Sequence, residues 1–91
     1  MIDSKYKVRR FIAEYSDTTD ELLEKYKLSD FELKLFQKEF LKSSLDNPMF
    51  DCYQIAEKNI IFLKNYIQNE PDWNFSENSY FLEAVALGEF K

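Results

Sequence analysis

The sequence predicts a single small α+β domain: a three-stranded antiparallel sheet packed by two helices, in the order β-β-α-α-β. Three observations lead there. Residues 8–15, "VRRFIAEY", are rich in β-branched and aromatic side chains and divide by alternation into two faces. Residues 28–41, "LSDFELKLFQKEFL", carry a helix start signal followed by helical spacing. Residues 80–87, "YFLEAVAL", are apolar on both faces, as in a strand covered on each side. A chain of 91 residues with 45% hydrophobic side chains builds one core, so residues 1–91 form one domain.

In the first strand, Val8, Arg10, Ile12 and Glu14 line one face and Arg9, Phe11, Ala13 and Tyr15 the other. "SDTTD" (16–20) follows as a turn, since Ser, Asp and Thr side chains bond the local backbone. "ELLEKYKL" (21–28) is open on propensity alone. Helix propensity favours a helical turn capped by Thr19 or Asp20, whereas eight residues after a tight turn is hairpin length. The strand is chosen, with Leu22, Glu24, Tyr26 and Leu28 sharing a face.

The first helix is expected over 30–42. Ser29 as N-cap and Glu32 at the third helical position make a capping box, with Leu28 and Leu33 as the apolar staple. Leu33, Phe36 and Phe40 then recur on one side. "KSSLDNPMFDCYQ" (42–54) is a connection, because Pro48 biases Asn47 toward extended backbone. A second helix is expected over 55–68, with Ala56, Ile60, Leu63 and Ile67 as its stripe, widened by Phe62 and Tyr66. Pro71 closes it, and "NEPDWNFSENS" (69–79) is a polar loop before the last strand.

Composition excludes most chemistry. The chain has no histidine, which removes the commonest general base, the commonest metal ligand and every Ser-His or Cys-His dyad. One cysteine makes neither a disulfide nor a zinc site, and one glycine, Gly88, builds no phosphate-cradling loop. No cofactor or metal is therefore expected. Carboxylate pairs such as Asp46 with Asp51, or Asp72 with Glu77, are the one route left to catalysis. Seventeen acids among 91 residues make such pairs unavoidable, and they read as solvated; no enzyme is expected. Cys52 has only acidic charges beside it in sequence and reads as a small buried packing side chain between Phe50 and Tyr53.

The net charge of −5 is unevenly spread. Residues 1–16 carry Lys5, Lys7, Arg9 and Arg10 against Asp3 and Glu14, whereas 68–91 carry Glu70, Asp72, Glu77, Glu83 and Glu89 against Lys91. The basic run, with Tyr6 and Phe11, is too weak a footprint for nucleic acid on an acidic chain and reads as a solvated strand edge. An acidic surface instead favours basic partners, or serves solubility alone. No apolar run reaches the ~18 residues of a membrane span, and "MIDSKYKVRR" has no hydrophobic signal segment, so a cytoplasmic chain is expected.

At "DNPMFDCY" (46–53) and "SYFLEA" (79–84) the sequence resembles small immunity proteins of bacterial contact-dependent growth inhibition and related polymorphic toxin systems. The likeness extends through "VRRFIAEY" and "ELLEKYKL", where Tyr26 and Leu28 match a Tyr-x-Leu ending, and it covers most of residues 8–84. Its specific part is Pro48, Met49, Phe50, Asp51, Cys52 and Tyr53; Gln54 departs from the pattern, which has Pro there. The resemblance supports the hairpin reading of 21–28. It implies a stoichiometric inhibitor that occludes a cognate toxin domain, in many such systems a nuclease with a basic cleft. In that reading Pro48, Met49, Asp51, Cys52 and Tyr53 are structural. The partner-binding residues are Glu70, Asp72, Trp73, Phe75 and Glu77, where a ring anchor sits among carboxylates. Trp73 has an equally good alternative as a lid over the second helix. The alternative function is a small acidic adaptor or regulatory subunit that binds a basic cellular protein.

Overall fold

A computed structural model describes residues 2–3, 8–29, 31–40, 49 and 52–86. Strand β1 is Ile2–Asp3, β2 is Val8–Ser16 and β3 is Leu22–Lys27. Helix α1 is Leu33–Phe40, strand β4 is Tyr53–Ile55, and a 3-10 turn at Glu57–Asn59 runs into α2, Ile60–Leu63. Strand β5 is Asn78–Ala86. All pairings are antiparallel.

β2 and β5 form the centre, paired over nine residues from Val8↔Ala86 to Ser16↔Asn78. On the far side of β2 lie β1, at its start, and β3, along its second half; β4 flanks β5. Among the described residues the sheet is therefore four strands wide, not three. The two segments missing from the sequence reading are two and three residues long. Runs so short carry no alternation to detect, and β4 exists because Tyr53 and Ile55 find Leu82 and Tyr80 across the sheet.

The hairpin at 17–21 is as its length requires. Ser16 Oγ accepts the N–H groups of Thr18 and Thr19, both at 3.2 Å, and Ser16 N–H donates to Glu21 O at 3.0 Å. Asp20 takes a positive φ of 61°, a region Asp tolerates. β3 then pairs with β2 from Tyr15↔Leu22 to Phe11↔Lys27, with Leu23 as an extra, bulged residue.

Both helices cover the face of the sheet that carries Ile12, Ile55, Tyr80 and Leu82, and Phe36, Leu63, Tyr66 and Ile67 fill the space between. α1 begins at Leu33, later than the Ser29–Glu32 box predicts; the Glu32 carbonyl accepts the first helical bonds, from Leu35 and Phe36. α2 is one turn where fourteen residues were expected. Its chain leaves the helix because Ser29 N–H takes the Tyr66 carbonyl at 2.6 Å and Leu28 bridges Ile67. Long-range backbone bonding there outcompetes helical continuation; of the expected stripe Leu63, Tyr66 and Ile67 are buried, whereas Ile60 and Phe62 are half-buried and Ala56 is exposed.

The basic run is corrected too. β2 is central, not an edge, and Arg10 is 1% exposed. Its guanidinium lies 4.1 Å from the Phe31 ring centre and Nη1 donates to the Met49 carbonyl at 2.7 Å. Met49 is itself buried, with a positive φ of 58° that costs a non-glycine residue about 1–2 kcal/mol. Lys5 and Lys7 lie outside the described residues.

Candidate functional site

The loop 70–77 is built from the core outward. Tyr80, on β5, is fully buried, and its hydroxyl donates to Glu14 Oε2 at 2.8 Å while accepting the Asn74 N–H at 2.8 Å. Asn74 holds the turn that follows: its carbonyl accepts from Asn78 N–H, its Nδ2 donates to Glu77 Oε2 at 3.1 Å, and its Oδ1 accepts from Ser76 Oγ. The buried Pro71 fixes the other end.

Trp73 and Phe75 stack at 5.6 Å with rings 6° from parallel, and both set their rings against Tyr80. Trp73 Nε1–H donates to Glu70 Oε2 at 2.8 Å. These ring contacts place Trp73 over the start of β5 and leave it half-buried. Glu70, Asp72 and Glu77 are exposed around the pair. The structure thus brings together all five residues that the sequence nominates here.

A second set of acids adjoins the loop. Asp17 N–H donates to the Glu77 carbonyl at 2.9 Å, and Ser79 Oγ donates to the Asp17 carboxylate. The turn that carries Asp17, Asp20 and Glu21 therefore sits at the same end of the molecule as Glu77. From there a groove of about 390 Å³ runs over the sheet face opposite the helices, lined by Tyr15, Ser16, Asp17, Asp20, Cys52, Ser79, Phe81 and Glu83. Tyr15 meets Phe81 edge-on at 5.8 Å, and its hydroxyl donates to Glu83 Oε2 at 2.7 Å. That bond, reinforced by burial and the Glu83 charge, raises the Tyr15 phenol to about 12.

Sequence reasoning missed this groove. Tyr15 and Glu83 are 68 residues apart and meet only through the β2–β5 register. Alternation gave the face of Tyr15 but not its neighbours. Cys52 is corrected as well: it is exposed and lines the groove, where a buried packing residue was expected. Tyr53 is half-buried on β4, and Met49 belongs to the core; Pro48 and Asp51 lie outside the described residues, as do Asp46 and Phe50.

Among the described residues, no three acids or thiols stand close enough together to hold a metal ion, and no helix is long and apolar enough to cross a membrane. What the arrangement offers chemically is a carboxylate-rich, ring-backed end held rigidly to the core. No curated protein and no solved structure matches the chain. Residues 9–83 match the profile of the family described as a domain of unknown function, DUF7683, and that span takes in the hairpin, both helices and most of β5: the chain belongs to the DUF7683 family.

Proposed function

We propose that this chain is an immunity protein that binds a cognate, basic toxin domain and neutralises it by stoichiometric occlusion. The resemblance at "DNPMFDCY" and "SYFLEA" suggests the class, and one structural observation carries the choice of surface. Glu70, Asp72 and Glu77 are exposed around the half-buried Trp73–Phe75 stack, and residues 68–77 contain no lysine or arginine. A half-buried tryptophan held by a hydrogen bond loses little freedom on binding, which suits an anchor, and the surrounding charge speeds encounter with a basic surface. Binding before damage accumulates is what an immunity protein needs, so the rate has a use. In this reading the chain works in the cytoplasm where the toxin arrives, and it uses no cofactor, membrane or nucleic acid.

The test is to express the domain encoded immediately upstream, alone and with this protein. Toxicity that this chain relieves, with a 1:1 complex in solution, supports the proposal. A toxic domain that is neither bound nor rescued ends it, and a basic cytoplasmic partner recovered instead would favour the adaptor. Within a confirmed complex, Asp72→Lys with Glu77→Lys should weaken binding about 10–100-fold and flatten its salt dependence. Unchanged affinity would move the interface to another face.

A further inference from the structure

We propose that the groove between the hairpin turn and Cys52 is a receptor for one arginine side chain presented by a protein partner. Three features of the groove argue for a cation. Three acids, Asp17, Asp20 and Glu83, are among its lining residues, and no lysine or arginine stands among those described. Two of those acids are already engaged by neutral donors, Asp17 by Ser79 and Glu83 by Tyr15, which hold them in place without cancelling their charge. The apolar part of the lining is aromatic: Phe81 and Tyr15 offer ring surface beside the carboxylates. A planar guanidinium uses both kinds of wall at once, donating in its plane and stacking through its face, whereas a lysine ammonium is a point charge. At about 390 Å³ the groove is of ligand-pocket size but open, as an inserted side chain requires.

The groove also adjoins the loop 70–77 through the Asp17–Glu77 backbone bond. Trp73 and Phe75 pack on the helix side of the sheet, so a protein seated on them would reach the groove around the end that carries Glu77 and Asp17. The choice of a protein partner rests on the inhibitor reading above; the groove's preference for a guanidinium stands apart from it.

N-acetylarginine amide is the probe, with N-acetylcitrulline amide as its neutral isostere, read by amide shifts in two-dimensional NMR of the isolated chain. Saturable shifts confined to residues 15–20, 52 and 79–83, with a dissociation constant of roughly 1–10 mM, are expected from arginine alone. The same probe should slow alkylation of Cys52, the chain's one thiol, by neutral iodoacetamide. Asp20→Asn with Glu83→Gln should weaken the arginine response about tenfold. Should loss of the Tyr15 bond unfold that variant, Asp20→Asn alone, at an exposed turn, should still weaken it about threefold. An equal response to citrulline, shifts scattered over the surface, or no response at ~50 mM overturns the proposal. Arginine binding by a chain that fails to rescue its neighbouring toxin would uphold the groove and sink the inhibitor reading alone.

Discussion

Glu14 joins both neighbours of the strand it sits on. Its carboxylate accepts from Tyr26 of β3 at 2.6 Å, and from Asn78 and Tyr80 of β5 at 2.7 and 2.8 Å. A buried carboxylate is tolerated only when its lone pairs are filled, and hydrogen bonds to a charged group contribute roughly 1.5–3 kcal/mol each. The phenols record the arrangement from the other side. Burial first, and then the bond to Glu14, push Tyr26 above the ordinary 10.0; burial also leads in raising Tyr80, and the bond to Glu83 leads in raising Tyr15 to about 12. A phenol whose folded value exceeds its unfolded value favours folding while it stays protonated. Its contribution is complete below pH 10 and is lost as pH climbs through the folded value. The urea midpoint should therefore drop between pH 10 and 12, and Tyr15→Phe, which has no proton to lose, should remove part of that drop while lowering the midpoint at pH 8. A midpoint that holds level to pH 12 in the wild type would mean the phenols are not bound as described.

Phe36 decides whether the helical layer holds. It is fully buried, and the rings of Phe31, Phe40, Phe62 and Tyr66 all lie within 6.3 Å of it, centre to centre. A single turn of α2 has almost no helical stability of its own, so this cluster is what fixes the two helices to each other. Phe36→Ala should cost about 3–5 kcal/mol, a large part of the roughly 5–14 kcal/mol available to a chain of this length, with the half-buried Phe40→Ala costing less than half as much. Urea titration of the two variants checks it, and equal losses would refute the central place given to Phe36. Phe36 and Phe40 were visible in the sequence because helical spacing is local. The hairpin was left open by propensity, and β5, expected to be covered on both faces, is covered by the helices on one and opens onto the groove on the other. The length of α2 was not visible, because the bond that stops it joins Ser29 to Tyr66, far apart in sequence. The site divides in the same way. Glu70 to Glu77 are contiguous and could be nominated together, whereas Tyr15, Cys52 and Glu83 needed the register of β2, β4 and β5 to become neighbours. Arg10 shows the limit of charge as a guide: its place on a central strand, not its type, put it in the core.

A sheet with two ends must keep other sheets off them. On the β4 side the strand is three residues long, too short to template much pairing. The β3 side is six residues long and exposes Leu22 and Leu23, at 45% and 50%, with no described strand on its outer edge. The sequence of β3 supplies the defence. In an antiparallel pair, opposite residues share a face, so two copies related by a two-fold axis must set one residue against itself. Centring on Glu24 opposes two carboxylates, and centring on Lys25 opposes two ammonium groups; both are unfavourable. The register centred on Leu23 avoids this, but Leu23 is the bulged residue, where the ladder is interrupted. Replacing Glu24→Thr and Lys25→Val removes the like-charge clash while keeping strand propensity. Light scattering behind gel filtration at ~100 µM should then find the double variant dimeric and the wild type monomeric, within the micromolar range that edge pairing can supply. A wild-type chain that already dimerises, with no gain in the variant, would show that Glu24 and Lys25 do not guard this edge.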